Sequence, residues 1–426
     1  VVIMLLNFTF KNYKSYVDTC DFSMVANKDK SHEDNLINFG KDRISKTRII
    51  YGANASGKTS FINAIEFIKI FSMMSNNLVE NNRIGISPYK FRENSLSVPS
   101  EFSLTFVKNN IKYSYSFSCT FEKVIDEKLD VYNSAKPTNI FTRTNTNDYK
   151  YNTDVRQLNE IKTKNTKNKL FLLTAATWNY EKVKPVVDYI LNDIIILHDI
   201  SQPTKYNISY IIENNDLEEY KKFCLDFLNN ADISISDFQI NTQKIKELGK
   251  QAELMTKLMN VIVNSDPEQM KKFGNSDIFN IKTIHNIKSG ENSSNYPLEL
   301  IEESDGTQQL FHFAPALFYT FKEGKTLFID EIDRSLHPLL VEYIIKKFYD
   351  NELNKNNAQL ICNTHDTNLL NLDIFRRDEI WFTERNNNTA TTEMYALSDF
   401  SPRKDENIEK AYLLGRYGGI PFIKEG

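Results

Sequence analysis

The stretch Gly52-Ala53-Asn54-Ala55-Ser56-Gly57-Lys58-Thr59 decides the fold, because it matches the phosphate-loop pattern GxxxxGK(S/T) at every fixed position. An apolar, strand-like segment precedes it at Arg48–Tyr51, and Thr59–Phe71 follows with apolar residues at helical spacing. This strand–loop–helix context is the one that the motif requires. Only 13 residues of the chain are Gly, so the alternative reading, a glycine-rich turn before a helix, is disfavoured.

The chemistry of a phosphate loop gives each residue of the motif a role. Glycine lets backbone N–H groups approach phosphate oxygens closely, and the helix N-terminus adds a partial positive charge. Lys58 is expected to be a catalytic cation at the β- and γ-phosphates, and Thr59 is expected to ligate Mg²⁺. The predicted cofactors are ATP and Mg²⁺. The predicted nucleotide contacts in the loop are Gly52, Asn54, Ala55, Ser56, Gly57, Lys58 and Thr59.

A second set of chemistry-bearing residues ends an apolar segment near the other end of the chain. Thr326–Ile329 reads as a buried strand and is followed directly by Asp330 and Glu331. In a phosphate-loop fold, Asp330 would bind the metal and Glu331 would act as the catalytic base on the attacking water. The alternative for the pair alone is an exposed acidic strand end.

Two further motifs flank this strand. Glu303–Gln309 places Ser304 and Gly306 before an apolar, helix-like stretch, where they could bind an anion or simply cap the helix. Downstream, Asp333–Pro338 follows the carboxylates, and His365 follows the strand-like segment Gln359–Cys362. A lone histidine after a strand is usually structural. Here, however, His365 is the fourth motif along the chain, after the phosphate loop, the segment Glu303–Gln309 and the segment that begins at Asp330.

This ordered set resembles the ABC/SMC/RecF class of ATPases. The forms ESDGTQQL (303–310), DEIDRSLHP (330–338) and NTHD (363–366) are similar to a prokaryotic phage-defence branch that includes RloA-like and abortive-infection ATPases and the ATPase of the PARIS system. The segment Phe10–Tyr16 resembles the N-terminal motif of that branch, and LLGRYGGIPFI (413–423) resembles its tail. The resemblance covers about a quarter of the chain and implies that Lys14 lies near the nucleotide.

The resemblance also implies how the motifs work together. Two copies would clamp two ATP molecules, with Ser304 and Gly306 of one copy completing the site that Lys58 and Glu331 form in the other. His365 would act as the switch histidine of that site. The implied partners are a second copy of the chain and a separate effector protein, which could be a toprim-like nuclease; nucleic acid is a further candidate partner.

Composition limits the remaining classes. The 426 residues carry a formal charge of −4, and 41% of them are hydrophobic, which excludes a disordered chain and argues against a generally basic nucleic-acid coat. The four scattered cysteines have no metal-ligand spacing. No run approaches about 18 apolar residues, so we expect no membrane partner and a cytoplasmic location.

The predicted fold class is α/β: a P-loop ABC-type ATPase head with a mixed β-sheet and a helical insertion domain. Residues 1–130 and 296–426 are expected to form the two parts of the head, and 131–295 a mainly helical insertion or sensor region. Within that region, the Asn/Thr/Lys-rich text from about 130 to 175 reads as a surface excursion, Met255–Val263 as helical and Lys288–Asn295 as a loop.

The leading hypothesis is an ATPase that acts as sensor or regulator in an anti-phage defence complex and controls a separate effector. The main alternative is a RecF- or SMC-like ATPase of DNA repair or chromosome maintenance. A transporter subunit is disfavoured, because Asp305 and Thr307 stand where a transporter has Gly and Gln. A small-molecule kinase would need neither the signature loop nor the switch histidine. The basic run 162–169 could meet phosphates, although a solvated loop is the simpler reading.

Overall fold

A computed structural model describes residues 2–200, 204–244, 277–289, 292–334, 336–403 and 406–420. The chain divides into two compact units, which we call the head (Val1–Asp199 with Thr320–Gly426) and the inserted unit (Ile200–Tyr319). None of the described helices combines the length and apolar character that a bilayer span requires.

The regular elements of the described residues follow one another in chain order. The strands are β1 Ile3–Lys11, β2 Cys20–Ser23, β3 Leu36–Phe39, β4 Asp42–Ser45, β5 Thr47–Tyr51, β6 Ser100–Lys108, β7 Ile111–Cys119, β8 Val124–Tyr132, β9 Thr138–Thr144, β10 Asp148–Lys150, β11 Ile194–Leu197, β12 Asp237–Lys244, β13 Asp277–Ser289, β14 Asn292–Glu299, β15 Thr326–Ile329, β16 Gln359–Asn363, β17 Ile380–Arg385 and β18 Thr392–Ala396. The helices are α1 Lys58–Ser75, α2 Val155–Lys162, α3 Phe171–Thr177, α4 Lys184–Asp188, α5 Ile208–Glu213, α6 Leu217–Asn230, α7 Asp305–Glu323, α8 Pro338–Tyr349 and α9 Ile408–Leu413.

The head contains a six-stranded mixed sheet in the order β11-β15-β16-β5-β17-β18. Its first five strands are parallel and β18 is antiparallel to β17. Every residue of β5, β15 and β16 is buried, as expected for parallel strands covered on both faces. The α/β P-loop head with a mixed sheet is therefore confirmed. Because β5, β15 and β16 are parallel, the segments that follow them emerge at the same edge of the sheet.

A second, antiparallel sheet of the head packs its apolar face on α1. Its seven strands run in the order β10-β9-β8-β7-β6-β1-β2. Phe61 of α1 lies 5.7 Å from Phe8, and Phe67 lies 5.0 Å from Phe102, measured between ring centroids. This packing fixes the helix that begins at the phosphate loop, so the antiparallel sheet supports the site from behind.

The structure draws the domain boundaries differently from the predicted insertion at 131–295. Residues 131–199 belong to the head, and the supposed surface excursion contains β9, which pairs with β8. The Arg143 side chain of β9 is buried beside Glu127, with 3.6 Å between Nη1 and Oε2. The polar composition of this segment hides its place in the core, because the segment contacts the core through the buried Arg143–Glu127 pair and through few apolar residues.

The inserted unit combines helices α5 and α6 with a three-stranded antiparallel sheet, β12-β13-β14. The expected loop Lys288–Asn295 coincides with the end of β13 and the start of β14. The unit also extends to Tyr319, beyond the predicted boundary at 295. The helical interpretation of Met255–Val263 lies outside the described residues.

Candidate nucleotide-binding site

A cavity of about 510 Å³ opens at the edge of the mixed sheet where β5, β15 and β16 end. It brings together most of the predicted site residues of the head. These lining residues are Lys14, Asn54, Ala55, Ser56, Gly57, Lys58, Thr59, Glu331 and His365. Residues more than 300 positions apart in sequence thus share one cavity.

The two loop glycines are required by backbone geometry. Gly57 has a φ of +117°, and a Cβ there would lie 2.6 Å from Cγ2 of Thr392. At Gly52 a Cβ would lie 2.3 Å from Oγ1 of Thr383. The loop is held against the same two threonines, since Thr392 Oγ1 donates to the Ser56 carbonyl over 2.8 Å, and the hydroxyls of Ser56 and Thr383 lie 2.6 Å apart. Strands β17 and β18 therefore form a rigid backing for the phosphate loop.

Lys58 is positioned as a cation over the loop. Its Nζ donates to the carbonyls of Gly52 and Ala53 over 2.6 and 3.1 Å. Burial lowers the pKa of Lys58 to about 8, despite the opposing effect of the nearby Asp330 and Glu331 carboxylates. A desolvated ammonium gains much from a bound anion. This environment suits a phosphate.

Asp330 lies at the bottom of the site beside the first turn of α1. Thr59 Oγ1 donates to Asp330 Oδ1 over 3.2 Å, and Asn363 Nδ2 donates to the same oxygen. A hydroxyl and a carboxylate oxygen side by side are ligands that Mg²⁺ accepts, with water and phosphate oxygens completing its shell. The predicted metal residues thus fit the ion.

His198, which lies next to Asp330, and its partner Glu66 escaped the sequence analysis. His198 Nδ1 lies 3.7 Å from Asp330 Oδ2, and His198 Nε2 lies 2.9 Å from Glu66 Oε2. His198 directly follows β11, which pairs in parallel with β15. Its place at the same sheet edge as Asp330 is the signal that could have found it, but strand order is not visible in a single sequence.

Glu331 and His365 face the cavity from neighbouring strand ends. Glu331 has a left-handed backbone, with a φ of +52°, and its amide donates to Asn363 Oδ1 over 2.7 Å. The His365 amide donates to Asp333 Oδ2 over 3.0 Å. Burial, reinforced by Lys58, lowers the pKa of His365. This shift favours the neutral imidazole, which can donate one hydrogen bond and accept one.

Lys14 is joined at the cavity by residues that sequence reasoning did not assign. Burial lowers the pKa of Lys14, whose backbone is left-handed and whose amide donates to the Ser87 carbonyl over 2.8 Å. Lys90, Arg385 and the 72% exposed Phe91 complete this wall. The lining is thus rich in cations, as the binding of a polyphosphate requires.

Ser304 and Gly306 belong to the inserted unit, whereas the residues that line the cavity belong to the head. The Ser304 hydroxyl accepts a hydrogen bond from the Thr307 amide over 3.2 Å, so it caps α7. At Gly306 an added Cβ would meet nothing within 4 Å. The local geometry is that of a helix cap, and sterics do not explain the glycine.

Solved structures with a similar arrangement are remote in sequence. The SMC head bound to the C-terminal winged-helix domain of ScpA is 11% identical, with a TM-score of 0.43, covering 93% of this chain and 99% of that one. The SMC head domain of Thermotoga maritima is 14% identical, with a TM-score of 0.39, covering 92% and 98%. The cbiO1 protein of Clostridium perfringens, part of the ABC transporter complex cbiONQ, is 11% identical, with a TM-score of 0.31, covering 97% of this chain and 96% of that one.

Sequence comparison gives a clearer result for the family. No curated protein matches the chain significantly. The family model described as "AAA domain, putative AbiEii toxin, Type IV TA system" matches residues 49–371. The match covers well over half of the chain and includes the phosphate loop, Asp330, Glu331 and His365. The chain therefore belongs to this AAA-domain family.

Proposed function

We propose that the chain is an ATP-hydrolysing, ABC-type ATPase that pairs with a second copy of itself and regulates a separate effector in an anti-phage defence complex. The observation that carries the ATPase proposal is the cavity in which Lys58, Glu331 and His365 meet. The family description, which names a toxin and a toxin–antitoxin system, supports a two-component defence role over the alternative of DNA repair.

The residues of the cavity divide the work of hydrolysis. The loop amides and Lys58 would hold the β- and γ-phosphates. Thr59 and Asp330 would hold Mg²⁺, which neutralises phosphate charge when bound. Glu331 would orient the attacking water and accept its proton, and His365 would contact the γ-phosphate. The Asn363 side chain contacts both Asp330 and the Glu331 amide, so it fixes the spacing between the metal ligand and the base.

Phe91 is the cavity residue best suited to the base of the nucleotide. Its ring is 72% exposed at a wall that otherwise presents cations, and stacking on a base contributes about 1–3 kcal/mol. We expect Phe91→Ala to weaken ATP binding about tenfold and Phe91→Trp to preserve it. Inorganic triphosphate, which lacks a base, is the control ligand, and its affinity should not change. Equal losses for ATP and triphosphate, measured by calorimetry, would place the base elsewhere.

The pairing of two copies is tested by mixing inactive chains. We expect Lys58→Ala and Ser304→Ala each to be inactive alone, because one lacks the phosphate-loop cation and the other the signature hydroxyl. Co-expressed with different tags, they form one site with an intact Lys58 and an intact Ser304. The purified mixed dimer should regain about half of the parental turnover, since one of the two sites is complete. A mixed dimer that stays inactive would contradict a site shared between copies.

A pull-down separates the two candidate roles. In the defence proposal, the tagged chain co-purifies with a protein effector, such as a toprim-like nuclease, and its turnover does not depend on duplex DNA. The DNA-repair alternative instead requires salt-dependent DNA binding and DNA-stimulated hydrolysis.

A further inference from the structure

The β13–β14 hairpin of the inserted unit leads directly into the signature loop. Its strands pair in the register Thr283↔Leu298 and His285↔Tyr296. Thr283 and His285 are two residues apart on β13, so their side chains leave the same face of the sheet. After β14 the chain makes one 3₁₀ turn, Leu300–Glu302, and reaches Glu303. The hairpin and the loop are therefore adjacent along the chain as well as in space.

The Glu303 carboxylate joins the hairpin to the loop. His285 Nε2 lies 2.7 Å from Glu303 Oε1, and Thr283 Oγ1 donates to the same oxygen. With a carboxylate oxygen as the acceptor, we assign His285 Nε2 as the donor of this contact. The Glu303 side chain is only 10% exposed. These bonds are shielded from competing water, which makes them stronger than surface contacts.

The backbone of Glu303 is fixed from the opposite side by α7. Gln308 Nε2 donates to the Glu303 carbonyl over 2.8 Å, and the Gln308 amide donates to the Ser304 carbonyl over 2.9 Å. Glu303 is thus anchored through its side chain to β13 and through its carbonyl to the first turn of α7. Ser304 is the next residue, so its hydroxyl has little freedom to move independently of the hairpin.

We propose that Thr283 and His285 are positioning residues for Ser304, through which the three-stranded sheet of the inserted unit controls hydrolysis in the partner copy. This inference rests on the proposed function, in which Ser304 completes the partner's site. A displacement of about 1 Å can cost a hundredfold in rate. A protein that binds the sheet and shifts β13 would therefore change turnover without touching the nucleotide.

The test compares His285→Ala with a matched variant of the same strand. On the exposed side of the hairpin, Asn286 Nδ2 donates to Asn295 Oδ1 over 2.9 Å and Asn286 Oδ1 accepts from Ser293 Oγ over 2.6 Å. Asn286→Ala therefore removes two cross-strand hydrogen bonds but none to Glu303. We expect His285→Ala to lower kcat about tenfold and Asn286→Ala to leave it unchanged. His285→Gln, whose amide can donate to Glu303, should restore most of the loss. ATP affinity of the separated protomer should be the same in all three.

Mixed dimers distinguish a positioning role of His285 from a merely structural one by their turnover. His285→Ala combined with Lys58→Ala should regain turnover, because the His285→Ala chain then supplies its phosphate loop to an intact signature loop. Thr283→Val, which keeps the side-chain shape, is a second variant and should lower kcat in the same direction. If His285→Ala and Thr283→Val retain parental kcat while Ser304→Ala does not, the positioning inference is wrong and the shared site stands. If Ser304→Ala also retains parental kcat, the shared site fails and the inference fails with it.

Discussion

Glu331→Gln is expected to lower kcat for ATP hydrolysis by about 10²–10⁴-fold, the usual contribution of a general base. Glutamine keeps the volume of the side chain, and the backbone bond from the residue 331 amide to Asn363 Oδ1 does not depend on the carboxylate. The substituted amide cannot take a proton from water. ATP and its Mg²⁺ should therefore stay bound, and closed dimers should accumulate.

The measurements are phosphate release at steady state, bound nucleotide per chain and mass by light scattering with ATP. Glu342→Gln is the matched control, because the substitution makes the same chemical change away from the cavity. Glu342 lies on α8, in an i,i+4 ion pair with Lys346. Parental turnover in Glu331→Gln would show that Glu331 is not the base. Loss of bound ATP in this variant would instead assign Glu331 to binding.

Lys58→Ala is expected to weaken ATP binding by about a hundredfold, since charge-assisted hydrogen bonds contribute about 1.5–3 kcal/mol each. The substitution also removes the hydrogen bonds from Nζ to the Gly52 and Ala53 carbonyls. The loop therefore loses two stabilising hydrogen bonds as well as a cation. Both effects weaken phosphate binding.

Affinity is best measured with a fluorescent ATP analogue, and loop integrity by thermal unfolding without nucleotide. Ser60→Ala is the control, because Ser60 lies in the same first turn of α1 and lines the same cavity without a charge. Its affinity should remain within about twofold of the parent. Equal affinities for Lys58→Ala and the parent protein would exclude the loop as the phosphate site.

Local sequence was sufficient for the part of the fold where pattern and chemistry coincide. The strand over 48–51, the loop over 52–59 and the helix over 59–71 follow from local sequence, because apolar periodicity and glycine placement depend on neighbouring residues. The strand before Asp330 was predicted for the same reason. The turn between β6 and β7 has a similarly local cause, since Asn109 and Asn110 both have a positive φ and asparagine tolerates that conformation.

The parts that were missed depend on contacts between distant segments. Asn363, His198 and Arg385 lie at the site because β16, β11 and β17 occupy particular places in the sheet, and a single sequence does not show strand order. The segment around Arg143 was misread because its charge is buried against Glu127. Hydropathy alone treats such a pair as surface.

The threonine backing of the phosphate loop has a consequence for the newly made chain. Gly52 and Gly57 are placed against Thr383 and Thr392, which are synthesised more than 300 residues later. At about 5–20 residues per second, the motif waits on the order of tens of seconds at the ribosome before its supporting strands emerge. A nascent chain, or a fragment that stops before β17, carries every residue of the loop without the surface that shapes it. Synthesis itself therefore delays activity until β17 and β18 have been made.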